Sequence, residues 1–372
     1  MARPLRALVV YPFLFHYRYG VFKALDSHED LDLTFVSDTV GRNGIAAIPT
    51  SMVKDHRPVT TRVRSRFTWQ SGLIGQVIRA DQEAVLFHGD MWALSTWVAA
   101  AIARVRRRRV FFWTIGWHRP DNALLRPIRL AFYRLAHELL IYGNVGRDIG
   151  TSMGYPRRRM HVIYNSHESS QALVSSLLSP RVDLLSAGRE VNIGAVIRLT
   201  EVKRLDLLLR AAAMLREQGR EVRVVLAGEG PARPRLEELA QQLGVDVTFL
   251  GAVYASEELE QFYQAVQVTV VPAAAGLTVI QSLSHGVPVI TDDDDYGQMP
   301  EAEAVRDGIT GGRFPKGDVA ALARSIATWL DKIDDDADAV AGAARREVTA
   351  RWTPESQADR IRDRLLQRGG VR

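Results

Sequence analysis

Arg198 and Lys203 stand five residues apart in "AVIRLTEVKRLDLLLRAA", just past an apolar run that ends at Ile197. An arginine at the carboxyl end of a buried strand and a lysine at the start of the next helix set two cations beside free helix N–H groups. That combination clamps a diphosphate; the plainer reading is surface charge. A second stretch, "PAAAGLTVIQSLSHGVPVI" (Pro272 to Ile290), carries a related signal. Ala273 to Gly276 are small enough for close backbone approach. A helix is expected over Leu277–His285, ended by Gly286 and Pro288. Its first N–H groups, near Gly276, Leu277 and Thr278, form an anion seat. Gln281 lies about one turn beyond Thr278, where it is either a hydrogen-bonding partner for sugar hydroxyls or an exposed helix glutamine. Gly228 and Gly230 read as a tight turn, with Pro231 near the next helix start. The backbone from Gly251 to Val253 is placed to pair with a flat base.

The first half offers other groups. Phe13, Phe15, Tyr17 and Tyr19, with Arg18 among them, form either a sugar or lipid platform or a packed strand-to-helix corner. His88 in "LFHGDMW", with Asp90 beside it, and His118 in "WTIGWHRP" both follow strand-like runs. Each is a candidate at the reacting centre or a packing residue. Tyr164 and Asn165 fall near the seam between the halves. The run Asp292–Asp295 is either a divalent-cation seat or a solvated, self-repelling loop.

The elements that must position these residues follow one scheme twice. Short apolar strands are expected at Ala7–Tyr11, Leu31–Ser37, Ala84–His88, Val110–Ile115, Leu139–Tyr142 and His161–Tyr164. A second set lies at Asn192–Ile197, Arg223–Ala227, Val247–Leu250, Val268–Val271 and Pro288–Thr291. Helical patterns lie between, at Met91–Val105, Asn122–His137, Arg204–Gln218, Ala232–Leu243, Glu257–Ala265 and Leu277–His285, with Val319–Asp331 after the last strand. Continuous apolar strands alternating with helices indicate parallel sheets covered on both faces. The expectation is an α/β chain of two doubly wound, Rossmann-like domains, 1–170 and 185–345, facing across a cleft. The seam falls at Ser169–Arg189. A last helix, about 350–372 with Thr353 as its cap, is expected to cross back onto the first domain. Ligands of such sheets bind beyond the carboxyl ends of the strands.

Composition allows this. The 372 residues are 47% hydrophobic and 24% charged, and none is cysteine, which excludes disulfides and thiolate metal sites. The opening "ARPLRALVVYPFLFHYRYG" reads as a first buried strand rather than a signal peptide, and no apolar run reaches the roughly 20 residues a bilayer span needs. Net charge is +5. Much of the excess lies in Arg62, Arg64 and Arg66, in Arg104–Arg109 and in Arg157–Arg159. Such clusters attract phosphates or an anionic membrane face; no recognised nucleic-acid motif accompanies them.

The segment 191–331 resembles the retaining nucleotide-sugar glycosyltransferases of family 4, which have the GT-B fold. Arg198 and Lys203 match that family's basic pair. "MPEAEAVRDGITGGRFPKGDVAALARSI" (Met299 to Ile326) matches its next conserved pattern, and "HVIYNS" (His161 to Ser166) looks like the Asn-containing element that closes the first domain. The family signature is Glu, seven residues, Glu, then Gly-x-Pro; here Ala273 and Gln281 stand at the two glutamate positions. The resemblance implies a metal-independent transferase moving sugar from a nucleoside-diphosphate sugar to a saccharide or glycolipid hydroxyl, with no further cofactor. It places His88 near the reacting centre and the acceptor beside the first domain. It further implies polysaccharide or glycolipid assembly in the cytoplasm, with peripheral contact at the inner membrane face through the basic first domain. The two missing carboxylates raise a rival, a catalytically silent subunit that activates a partner enzyme. A sugar-nucleotide epimerase of similar architecture fits the matched segments less well.

Overall fold

The computed structural model describes residues 3–42, 44–167, 191–253 and 256–367, so the expected seam at Ser169–Arg189 lies outside the described residues. The chain divides into two compact units. Unit 1 comprises Met1–Glu168 with Pro354–Arg372, and unit 2 comprises Ser169–Thr353.

Unit 1 is built on seven parallel strands. They are β1 (Leu5–Phe13), β2 (Leu31–Asp38), β3 (His56–Pro58), β6 (Ala84–His88), β7 (Arg109–Thr114), β8 (Glu138–Ile141) and β9 (Met160–Val162), in the order β3-β2-β1-β6-β7-β8-β9. A separate antiparallel hairpin, β4 (Thr60–Arg64) and β5 (Phe67–Ser71), precedes β6. The helices are α1 (Tyr19–Ser27), α2 (Leu73–Arg79), α3 (Leu94–Val105), α4 (Leu125–Arg134) and α5 (Asn144–Ser152). Side chains alternate across the sheet, as strand geometry demands. Leu8, Val10, Phe87, Phe112 and Ile141 point into one core. Ala7, Val9, Tyr11, Leu86, Phe111, Trp113 and Leu140 point into the other, shared with Val21, Phe22 and Leu25 of α1. Burial on both faces is why these strands read as continuous apolar runs.

Unit 2 has six parallel strands: β10 (Val191–Val196), β11 (Val222–Ala227), β12 (Val247–Gly251), β13 (Val268–Val270), β14 (Val289–Asp292) and β15 (Gly311–Phe314). Their order is β12-β11-β10-β13-β14-β15. Its helices are α6 (Leu205–Glu217), α7 (Arg233–Leu243), α8 (Ser256–Ala265), α9 (Leu277–Ser284) and α10 (Val319–Arg351). Both sheets are doubly wound. Strand order reverses between β1 and β6 in unit 1 and between β10 and β13 in unit 2, which creates a crevice at the carboxyl edge of each sheet.

The last helix, α11 (Pro354–Leu366), belongs to unit 1. Ala358, Ile361 and Leu365 join the α1 core. The Arg362 guanidinium grips Asp30, with Nε at 2.9 and 2.8 Å from its two oxygens. Arg364 pairs with both oxygens of Glu138 at 3.0 and 2.8 Å. Gln357 donates to the Tyr164 carbonyl at 2.6 Å and accepts from Ser166 at 2.7 Å.

Several expected bounds need correction. The helix expected over Met91–Val105 begins at Leu94, because Met91–Ala93 form a turn. The helix expected to end at Asp331 continues to Arg351 with a break at Asp336, whose carboxylate caps a new start by accepting from the Ala339 N–H at 2.9 Å. No helix among the described residues is long and apolar enough to cross a membrane.

Candidate functional site

In unit 2 the crevice is assembled by ties between successive strand ends. The Thr278 hydroxyl at the start of α9 donates to the Val196 carbonyl, the last residue of β10, at 2.6 Å. The Lys203 ammonium donates to the Ala274 carbonyl at 2.5 Å. These two bonds bring the segment after β10 and the loop after β13 into one place. Arg198 follows Val196 by two residues and is exposed, and no ion pair engages it among the described residues. The neighbouring Arg204 is committed to Asp206 at 2.9 and 3.0 Å. Burial pulls the Lys203 pKa down from its ordinary value, opposed by the charge of Glu301. Glu301 is itself buried, in the turn Pro300–Ala304.

The loop Ala273–Gly276 is held from beneath. Gln298 accepts from the Ala275 N–H at 2.6 Å and donates to Thr291 and Asp292 at 2.8 and 2.6 Å. Ala274 sits at φ +50°, a left-handed conformation that costs an alanine roughly 1 kcal/mol. Gly276 is the N-cap of α9 and no side chain caps that helix. The positive end of the helix is therefore open to a ligand. Gly276, Leu277 and Thr278 are half-buried around it.

Gln298 carried no signal in the sequence, since its role depends on a loop 23 residues away. Gly228 and Gly230 have a definite task. A Cβ at either would lie 1.9 Å from the Ile197 carbonyl or 2.1 Å from that of Leu199. Only glycine lets this loop run against the segment that carries Arg198, held there by Ile197 N–H to Ala227 at 2.9 Å and Leu199 N–H to Glu229 at 3.0 Å.

The structure details three of the expected sites. Gln281 is not an exposed helix residue: it is buried, and its side-chain oxygen accepts from the Tyr263 hydroxyl at 3.3 Å. Tyr263 in turn stacks on His285, with ring centroids 4.3 Å apart. In the backbone segment Gly251–Val253, the Gly251 carbonyl accepts from the Gly228 N–H at 2.6 Å. Val253 is half-buried against Phe262 and Tyr263. The repulsion expected in the run Asp292–Asp295 persists, since Asp294 adds to the burial that raises the Asp292 pKa, but cations and amides offset it. Asp294 pairs with Lys316 at 2.5 Å, Asp295 with Arg313 at 2.9 Å, and Asp293 accepts from the Lys316 N–H at 3.0 Å. No group of three or more acidic or histidine side chains suited to a metal occurs among the described residues.

In unit 1 the same edge is aromatic. Tyr11 ends the straight part of β1 and packs edge-on against Trp113, with His88 5.1 Å away between ring centroids. Arg18 is buried over the faces of Tyr142 and Trp113, at 4.9 and 5.6 Å. Burial, reinforced by Arg18, holds the His88 pKa down at about 4, so the imidazole is neutral at physiological pH. Of the four aromatics, Phe13, Phe15 and Tyr17 run in one row with ring centroids 4.5 and 5.4 Å apart, Phe13 buried, and Tyr19 packs on the α1 core. Asn165 is buried, and His118 is half-buried in the loop between β7 and α4. Tyr11, Trp113 and Tyr142 were not singled out from the sequence. Apolar strand ends look alike until the arginine packed on them is located.

Comparison with known proteins bears on unit 2 most directly. Residues 181–346 match the family model described as "Glycosyl transferases group 1". Unit 2 is thus similar to the glycosyl transferases group 1 over most of its length. Over 154 residues the chain is 36% identical to a D-inositol 3-phosphate glycosyltransferase of Mycobacterium sp., covering 39% of this chain and 33% of the relative. Over 221 residues it is 29% identical to a Bacillus subtilis protein named as glycosyltransferase EpsF, covering 56% and 55%. The chain thus spans about a third to a half of these curated relatives. Among solved structures, Anabaena HepE in complex with UDP and glucose has a TM-score of 0.67 at 16% identity, covering 98% of this chain and all of that one. The lipopolysaccharide outer core galactosyltransferase WaaB has a TM-score of 0.71 at 11% identity, covering 98% and 99%. At these identities the likeness shows the fold, two Rossmann-like units of GT-B type. In unit 2 the crevice after β10 and β13 brings Lys203 to the loop before α9, beside the segment that carries Arg198.

Proposed function

We propose that this protein moves a sugar from a nucleoside-diphosphate sugar to a hydroxyl of a saccharide or glycolipid, retaining the anomeric configuration and using no metal, as a family 4 variant lacking both signature glutamates. One observation carries the reading: the Lys203 ammonium is tied to the loop that leads into the uncapped start of α9, and exposed Arg198, in no ion pair among the described residues, lies on the segment alongside. Charge grows on the diphosphate as the sugar leaves. Fixed cations and oriented N–H groups stabilise that charge without reorganising. Ala273 has no carboxylate to attack the sugar, so the acceptor hydroxyl attacks from the face the diphosphate leaves, with the diphosphate taking its proton. The neutral His88 serves the acceptor side as a hydrogen-bonding group. The relatives named for sugar transfer, and HepE structures with UDP and with UDP-glucose, support a nucleotide-sugar donor. A cysteine-free chain with such a donor suits a reducing, cytoplasmic setting.

The test is a panel of UDP-, GDP- and ADP-sugars with saccharide and lipid-linked acceptors, run in excess EDTA, with product configuration read by NMR. Transfer with retention is expected. An inverted product, dependence on added divalent cation, or tight donor binding without transfer to any acceptor overturns the proposal.

A further inference from the structure

The hairpin β4–β5 has no part in the site described above, and its sequence, "TTRVRSRFTWQS", is unusual for a surface loop. Its register sets Arg62 opposite Trp69 and Arg64 opposite Phe67. Cross-strand partners share a face. One face of the ribbon is therefore a ladder of two arginines and two aromatic rings. The other face is the anchor. Thr61 and Gln70, also opposite one another, are buried; the Gln70 amide donates to the Tyr11 carbonyl at 2.8 Å and the Thr61 hydroxyl to the Pro12 carbonyl at 3.0 Å. The Thr68 N–H donates to the Trp92 carbonyl at 3.0 Å, and the Gln70 N–H to the Ser95 hydroxyl at 3.0 Å. The hairpin is thus fixed at the carboxyl edge of the unit 1 sheet with its ladder turned outward.

The outward side is both apolar and cationic. Phe67 and Trp69 on the ladder face are 37% and 39% exposed, Leu94 and Val98 on the neighbouring helix are 44% and 41% exposed, and Val63, paired with Thr68 on the ribbon's other face, is 52% exposed near the tip. A shallow, mostly apolar hollow of about 390 Å³ runs among Val63, Phe67, Trp69 and Leu94, edged by Arg62 and Arg64. Arg62, Arg64 and Arg66 are all exposed, and no carboxylate among the described residues pairs with them. Arg66 lies over the Trp92 ring at 4.1 Å, which holds the turn rigid.

We infer that this hairpin docks unit 1 onto an anionic lipid bilayer. A protein partner would bring carboxylates for three arginines and a matched apolar surface; a bilayer of acidic lipids supplies both without shape. Phosphates at the surface take the guanidinium groups, and the region just beneath takes the amphipathic tryptophan and the phenylalanine. The inference narrows the sequence expectation of membrane contact through the basic first domain to one of its clusters, Arg62, Arg64 and Arg66. In the cluster Arg104–Arg109, Arg104, Arg106 and Arg107 are exposed, whereas Arg108 is buried and donates to the Val77 carbonyl at 2.6 Å and Arg109 donates to the Arg364 carbonyl at 2.9 Å; among the described residues, no exposed aromatic pair lies opposite those arginines as it does in the hairpin. Docking through the hairpin sets the carboxyl edge of the unit 1 sheet beside the lipid surface. It is independent of whether sugar transfer occurs.

The experiment is co-sedimentation of the full chain with vesicles of phosphatidylcholine alone and of phosphatidylcholine containing about one-third phosphatidylglycerol. Binding is expected only to the anionic vesicles, weakening with salt. R62Q/R64Q/R66Q should weaken it by at least about tenfold, since each basic residue near the surface contributes to the attraction. The milder Trp69→Phe should keep binding yet lose the quenching of tryptophan emission by lipids brominated just below the headgroups. Circular dichroism confirms that each variant is folded. Equal binding to neutral vesicles, or unchanged binding by the folded triple variant, overturns the inference. So does a dimer in solution that disappears in F67S/W69S while vesicles are ignored.

Discussion

The two crevices lie at equivalent places in two similar sheets, yet they are made of different material. In unit 2 the edge is backbone and polar: glycines pressed on carbonyls, Gln298 holding a loop, Lys203 on a peptide oxygen, an uncapped helix. In unit 1 it is rings and a buried arginine: Tyr11, Trp113, Tyr142, Arg18 and a neutral His88. A compact, charged, invariant ligand group suits the first, because peptide dipoles cannot shift to suit a new guest. The second is packed rather than hydrogen-bonded, so its shape follows from which side chains fill it.

The comparison can be broken or sharpened by experiment. The largest effect is expected from Gly230→Ala, whose Cβ would meet the Leu199 carbonyl at 2.1 Å. Urea unfolding should show a loss of about 4 kcal/mol. A loss below about 1 kcal/mol would show that the loop can retreat and that the edge is not fixed by backbone contact. Lys203→Met comes next. Removing one preorganised cation should slow transfer by roughly 100-fold or more, close to 3 kcal/mol in the transition state. The unfolding midpoint should move only a few degrees, because one hydrogen bond to Ala274 is worth about 1 kcal/mol. Equal loss of rate and stability would make Lys203 a brace instead.

The third test concerns unit 1. His88 is held at about 4, against 6.5 for a free imidazole. The unfolded chain therefore takes up the proton first. Stability from neutral His88 is complete above pH 6.5 and is lost as pH falls from 6.5 toward 4. His167, also held at about 4 by burial and by His16, shares that window. His88→Phe should flatten part of the slope of stability between pH 4 and 6.5, while His167 and the histidines that burial also holds below the ordinary value, His56, His137 and His161, keep contributing to it; an unaltered slope would mean that His88 titrates freely. The smallest change is expected from Ala274→Gly. Relief of the left-handed alanine and the extra freedom of glycine nearly offset, so stability should shift by less than about 1 kcal/mol.

Strands were the legible part of this chain. Ala84–His88 reads from the sequence with the bounds it has in the fold, because a strand buried on both faces leaves an unbroken apolar run. β15 was not legible, since "GGRF" contains two glycines and gains its strand from pairing with β14. The hairpin was missed for a different reason: its turn at Ser65 and Arg66 contains no glycine or asparagine, although Ser65 adopts φ +55°. At the candidate site, glycines and a basic pair are visible because fixed spacing encodes backbone geometry. The engagement of Gln281 by Tyr263 is not, because the partner comes from another helix.

The route of the chain has one further effect. Unit 1 is interrupted by all of unit 2 and is finished only by α11, which covers α1 and grips Asp30 and Glu138. During synthesis the amino-terminal sheet must therefore wait, with Val21 and Leu25 uncovered, until the downstream unit has already emerged and had time to fold. The order of translation and the order of completion are opposite. A ribosome that stops at Trp352 would release a chain whose second-made half is whole and whose first-made half is still open.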